Sequence, residues 1–574
     1  MAGRLLLSGL IALAVPPAAQ VAPAGRWEFT STSMRGDPLT GTIYLTTLPG
    51  GGTWGRIFTT IDAPNTVTRA AREGDRLVVA ALLDGGLEIE FAFHPEGDSL
   101  AGAWRVGDRS TPATARHVEG PAPLPPIPCR ARGLRETVRC AVYLVPENRA
   151  SGEGPTIPLT IVILPADSAR RGALFHFAGG PGQAASEFAD GNAQRFAAVR
   201  RHRDIVMLDQ RGTGGSNGLP CDFPSPQARA ALLLGNTFPP DDVRGCRDTL
   251  THRADLRQYH TAVAADDVAD VARWLGYERI DLYGGSYGTR AALAVMRQHP
   301  GLVRTATLRA VIAPDGSLPR DNPAGAQASL DRVFAACAAE APCRSAFPDL
   351  GGDFRALLDR LDTSPPVVTV RDPVSGDSVA LSLDRGVVGG ALRRMLMDGA
   401  LIPSVPFTIH AAARGDFEVF RRGIERTLGV AGSLYWGMGL SVVCAEDPPI
   451  IRARGLPDAD ASFLGNGQAR SLLEICDAWP RGAPPPGYDQ PVTVTIPTLV
   501  LSGEFDPATP PEWGAAVARQ LPNSVHLIMT GVSHAPFPAC AQAIMTAVVE
   551  RGSVADVDTS CVGALARAPF QTGG

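Results

Sequence analysis

From Ile157 onward the chain alternates short apolar runs rich in β-forming residues with helical patterns. The runs lie at Ile157 to Leu164, Ala173 to Ala178, Asp204 to Leu208, Arg279 to Tyr283, Val303 to Ile312, Thr498 to Ser502 and Ser524 to Met529. Helical patterns such as Ala262 to Leu275 and Thr289 to His299 stand between them. A strand that is apolar throughout must be covered on both faces, and helical crossovers supply that cover between parallel neighbours. The alternation therefore predicts an α/β fold with a mostly parallel sheet.

One stretch breaks the alternation. Residues 314–491 are mostly helical, with Pro- and Gly-rich interruptions and helical patterns such as Ala326 to Ala339 and Phe417 to Leu428. An insertion of this size between two strands is expected to be a helical cap over the C-terminal edge of the sheet, leaving 129–313 and 492–574 as the core. Before the core, residues 25–120 read as a small antiparallel β domain. Leu87-Glu88-Ile89-Glu90-Phe91 alternates apolar and acidic side chains, the period of a half-buried strand. Residues 121–128 are so rich in proline that they read as a linker, unable to hold a helix or a central strand.

Residues 1–24 look like a signal peptide: Arg4, an apolar run from Leu5 to Val15, then small residues around Ala22-Pro23-Ala24. The 10 cysteines agree with export. They fall in sequence-local couples, Cys129/Cys140, Cys221/Cys246, Cys337/Cys343, Cys444/Cys476 and Cys540/Cys561, and an oxidising compartment would join them as disulfides. Zinc is the rival reading, but no CxxC or HExxH spacing occurs. An exported protein, periplasmic or extracellular, with no membrane attachment after signal removal is expected. The net charge of -5 gives no field for nucleic acid.

The pattern G-x-S-x-G occurs twice, around Ser286 and around Ser216. With 62 glycines in the chain the bare pattern means little, and context decides. A nucleophile elbow needs a strand before the serine and a helix after it. Ser286 has both; Ser216 is followed by Leu219-Pro220 and Cys221-Asp222-Phe223-Pro224 and reads as a loop serine. A hydroxyl needs a base to become a nucleophile, and a base needs an orienting acid. Asp506 lies just past one late strand and His534 just past the next, in the chain order Ser, acid, His that this arrangement uses. Glu504 and His526 are weaker rivals. Backbone N–H groups of Tyr287 and Gly179 are the expected oxyanion hole.

These segments together resemble the prolyl and tripeptidyl aminopeptidase family of α/β-hydrolases. The resemblance rests on Gly179-Gly180-Pro181-Gly182, on Asp209-Gln210-Arg211-Gly212-Thr213-Gly214-Gly215-Ser216, on Gly284-Gly285-Ser286-Tyr287-Gly288, on Ser502 to Pro510 and on Gly531-Val532-Ser533-His534. Ala178 stands where the family's first loop carries histidine. The resemblance implies an α/β-hydrolase fold, the triad Ser286, Asp506 and His534, and a Ser216 segment that braces loops. It also implies that cap carboxylates, Glu446 first and Asp447 second, hold the α-ammonium of a peptide substrate. An aminopeptidase working through an acyl-enzyme, without metal or cofactor, is the expected activity. A carboxylesterase with the same triad acting on small esters, or an inactive binding protein on a hydrolase scaffold, are the alternatives.

Overall fold

The computed structural model describes residues 20–573 except 22–24, 48–52, 61–63, 83–86, 97–98, 119–122, 153–154, 222, 224, 235–236, 374–375, 429–433 and 537. The expected leader thus lies outside the described residues, save Gln20–Val21, a two-residue strand beside Asn65–Glu73. The chain divides into two compact units that part between Ala122 and Pro123.

The first unit is an antiparallel β-barrel. Eight strands between Gly25 and Val118 form one sheet, and it closes because Asn65–Glu73 pairs with Arg76–Leu82. The expected alternation is present: Ile89 and Phe91 are buried while Glu88 faces out. Inward positions carry large aromatics, with Phe29 against Phe91 at 5.0 Å and Trp104 beside them, so side chains fill the interior.

The second unit carries a nine-stranded sheet, labelled here β1 (Leu124–Cys129), β2 (Val138–Pro146), β3 (Thr156–Leu164), β4 (Ala173–Phe177), β5 (Asp204–Leu208), β6 (Ile280–Gly285), β7 (Val303–Arg309), β8 (Thr498–Gly503) and β9 (Ser524–Met529). Their order across the sheet is β1-β2-β3-β5-β4-β6-β7-β8-β9. The first three strands and the β3–β5 pair are antiparallel; from β5 through β9 all neighbours are parallel. The linker expected at 121–128 needs correction: Leu124–Cys129 is an edge strand on β2. Proline is compatible with an edge because the missing N–H faces no partner there.

The helices that position the site are α1 (Thr261–Trp274) and α2 (Tyr287–Gln298) in the core, and α3 (Arg385–Met397) and α4 (Trp436–Arg454) in the long excursion between β7 and β8. That excursion is helical as expected, with one added two-stranded ribbon, Val367–Arg371 with Ser378–Ser382. A second, unexpected excursion after β5 forms two helices, Pro226–Leu233 and Pro240–Thr251. All 10 cysteines pair in the five expected couples.

Candidate active site

β6 ends on Gly285 and α2 starts on Tyr287, so Ser286 alone makes the turn, with φ 56° and ψ -126°. A side-chain-bearing residue adopts such a conformation at a cost of about 1–3 kcal/mol, and only where its surroundings enforce it. Here they do. The Ser286 N–H donates to the Arg309 carbonyl at 3.0 Å, and its own carbonyl accepts from the Thr289 hydroxyl at 2.7 Å. Two glycines make room: a Cβ on Gly284 would lie 2.3 Å from the Gly288 carbonyl oxygen, and one on Gly288 2.3 Å from that of Phe177. The elbow is thus pressed against the end of β4 with no space for side chains.

His534 follows β9, and its Nδ1 lies 2.8 Å from Asp506 Oδ2. Asp506, fully buried after β8, also accepts from the N–H groups of Ala508 and Thr509 at 2.8 and 3.0 Å and from the Thr509 hydroxyl at 2.6 Å. Burial alone would push its carboxyl up; the facing imidazole and these donors outweigh it and hold the carboxyl below its usual range. The two loops are tied together, Phe505 N–H donating to the Val532 carbonyl at 3.0 Å. Glu504, the rival acid, instead accepts from the Gly531 N–H at 2.8 Å and braces the histidine loop. His526, the rival base, pairs with the Ser502 hydroxyl at 2.9 Å.

Ser286 and His534 line one cavity of about 460 Å³. The loop after β4 forms another part of its wall, and a Cβ on Gly179 would lie 3.5 Å from Ser286 Cβ. The Gly179 N–H donates to the Gln183 side-chain oxygen at 3.0 Å, a partner that an oxyanion there would have to replace. The Tyr287 N–H belongs to the first turn of α2, where helix geometry supplies no intrahelical acceptor.

The Asp209 to Ser216 segment lies beneath these loops. Asp209 accepts from the Ser186 N–H and hydroxyl and the Gly215 N–H, all within 3.0 Å. Arg211, fully buried, forms a two-pronged pair with Asp267 at 2.6 and 2.7 Å. The Ser216 hydroxyl, also fully buried, accepts from the Thr160 N–H at 2.8 Å.

Glu446 and Asp447, expected to hold a substrate's α-ammonium, stand away from the lining of this cavity. Both sit on α4, each 1% exposed, and both pair with Arg290 of α2 at 3.2 and 3.0 Å. Glu446 also accepts from the Thr261 N–H at 2.9 Å. Burial pushes the Asp447 carboxyl up to about 6, even with the Arg290 charge against it. Neither lines the cavity at Ser286; among the described residues no carboxylate does. Its charged lining is instead Arg195, Arg309, Arg393 and Arg394. Sequence reasoning missed these, although an Arg-Arg pair inside the apolar run of α3 was a visible signal. No group of three or more metal-ligating side chains occurs among the described residues.

The arrangement sets a turn serine and a histidine on the wall of one pocket, with a buried carboxylate hydrogen-bonded behind the histidine, on a mostly parallel sheet. A family model described as alpha/beta hydrolase fold matches residues 176–338, and one described as TAP-like protein matches residues 461–561. The serine protease Hip1 of Mycobacterium tuberculosis and its Mycobacterium bovis counterpart are 25% identical over 454 residues, covering 71% of this chain and 84% of theirs. Among solved structures, an esterase from a Rhodococcus species is 16% identical, with 73% of this chain and 99% of that one covered at a TM-score of 0.33. An esterase from Exiguobacterium antarcticum is 12% identical, covering 69% and 96% at 0.30. The chain has the α/β-hydrolase fold. Its C-terminal part, residues 461–561, is similar to the TAP-like proteins.

Proposed function

We propose that this chain is an exported serine peptidase acting through an acyl-enzyme. The observation that carries the reading is the Ser286 turn opening onto the cavity that His534, hydrogen-bonded to buried Asp506, also faces. Ser286 Oγ attacks the scissile carbonyl while His534 takes its proton; Asp506 keeps the imidazole in the right tautomer and stabilises its cation. The Tyr287 and Gly179 amides receive the oxyanion, the latter by giving up Gln183. His534 then protonates the leaving amine, and water attacks the acyl-enzyme by the reverse sequence of proton transfers.

The similarity to a serine protease favours the peptide bond over the ester as the natural target. An aminopeptidase would need an anion for the α-ammonium, because a cation entering a dry pocket must be paired. With Glu446 and Asp447 committed to Arg290, the proposed peptidase accepts blocked N-termini. Five disulfides and the expected leader support export. The test is pre-steady-state kinetics on a nitrophenyl ester and on matched free and N-acetylated peptide anilides. A burst stoichiometric with enzyme, absent in Ser286→Ala, and similar kcat/KM for free and acetylated peptides are expected. No burst and no serine-dependent turnover would defeat the hydrolase reading. A loss on acetylation on the order of 10²-fold, the scale of a buried charge pair, would restore the aminopeptidase.

A further inference from the structure

The cavity at Ser286 carries four arginines and, among the described residues, no acid. Two of the four have work within the protein. Arg195 donates to Asn192 Oδ1 at 2.8 Å and lies over the Phe196 ring, and Arg309 donates to the His534 carbonyl. Arg393 and Arg394 do not. Neither side chain is in any hydrogen bond or ion pair among the described residues, and the Nε of each is buried without a partner. Asp506 is the acid whose charge acts on Arg393, yet its oxygens are taken by His534, Ala508 and Thr509.

The pair is held in place rather than left on a loose surface. The end of α3 is fastened to the catalytic histidine's loop: the Ala535 N–H donates to the Met397 carbonyl at 3.0 Å, the Gly399 N–H to the Ala535 carbonyl at 2.7 Å, and the Ser533 hydroxyl to the Leu396 carbonyl. Around the arginines α3 is apolar and buried, with Leu392, Met395 and Leu396 packed into the cap. Burial and the neighbouring guanidinium push Arg393 down to about 10, the direction of a charge short of counter-charge. A desolvated guanidinium is costly until an anion reaches it, and its planar fork matches a carboxylate.

We propose that Arg393 and Arg394 form a carboxylate-binding subsite beside the scissile bond, so that the enzyme selects substrates carrying a carboxylate within the cavity. The inference rests on the hydrolase reading above and names its substrate class. Such a carboxylate comes either from an acidic side chain or from a free peptide C-terminus. It takes the counter-charge position that the protein leaves vacant, and it sets the distance between the anionic group and the attacked carbonyl.

Two substrate pairs separate the sources: N-blocked peptide anilides that differ only by Glu against Gln, and short peptides with free against amidated C-termini. In one pair the carboxylate member is expected to lead in kcat/KM by about tenfold or more, the scale of a charge-assisted two-pronged contact. That ratio should fall toward 1 in Arg393→Gln/Arg394→Gln and recover in part in Arg393→Lys/Arg394→Lys. Glutarate should compete on the unaltered enzyme and raise its Tm, while neutral glutaramide should do neither. The glutarate shift reads the subsite whether or not a peptide is cleaved, and it does not require the variants to fold. Equal rates within both pairs, together with no glutarate effect, would overturn the subsite while leaving the hydrolase reading intact. Inorganic phosphate competing where glutarate does not would overturn the carboxylate assignment. A glutarate shift without any turnover would spare the subsite and defeat the hydrolase reading.

Discussion

At the scale of single residues, two serines share the same five-residue pattern and have different lives. Ser286 sits at positive φ at the cavity wall, whereas Ser216 is fully buried and accepts from the Thr160 N–H. Ser216→Ala should leave that N–H without a partner and cost about 1–3 kcal/mol of stability. Denaturant titration reads the loss, and turnover per folded molecule should persist; loss of turnover with unchanged stability would contradict the assignment. The distinction was legible in the sequence because what separates the two is local to each: a strand before and a helix after Ser286, against Leu219-Pro220 after Ser216. The fate of Glu446 was not legible. Its counter-ion is Arg290, 156 positions away, and nothing in the acidic segment itself announces that pair. Removing one member of a buried ion pair costs about 3–5 kcal/mol. Glu446→Gln should therefore destabilise the protein, without changing the ratio of rates on free and N-acetylated peptides. A shift in that ratio would return Glu446 to the substrate.

At the scale of elements, β4 carries a pH dependence. His176 on this strand is buried against Asn192 and Tyr283, and burial, with Arg195 nearby, pushes its imidazole down to about 3. The unfolded chain takes up a proton near the ordinary value of about 6.5, while the folded chain does not until about 3. Stability therefore falls as pH drops from 6.5 toward 3, by up to about 1.4 kcal/mol per pH unit from this one group. Urea titrations at pH 7 and pH 5 should show the loss, and His176→Gln should reduce it by about 2 kcal/mol. An identical loss in the variant would show that other groups carry it. The apolar strands from Ile157 on were legible as runs, because a strand covered on both faces needs them. β1 was not, since its prolines argue against a strand and only its edge position admits them. The cap helix Leu318–Ala339 begins earlier than its periodicity indicated: Pro319 falls in its first turn, where a missing N–H costs nothing, and the helix runs on through Pro323.

At the scale of the whole molecule, the chain separates a barrel without cysteine from a hydrolase unit that holds all five disulfides. Each bridge closes a short loop, the longest spanning 32 residues, and a native bridge is worth about 2–5 kcal/mol. Reductant should thus lower the melting temperature of the hydrolase unit and leave the barrel's transition in place. Calorimetry showing both transitions shifting alike would contradict that division. Closure of the barrel was beyond a reading of strand periods, since it depends on Asn65–Glu73 finding a second partner in Arg76–Leu82. The catalytic account asks residues 286, 506 and 534 to act as one group across this unit. Peptide mapping after reaction with a fluorophosphonate probe tests it most directly. The account predicts a single adduct, on Ser286, that disappears in Ser286→Ala and is strongly slowed in His534→Ala. An adduct on any other serine, or labelling that survives Ser286→Ala, would contradict it.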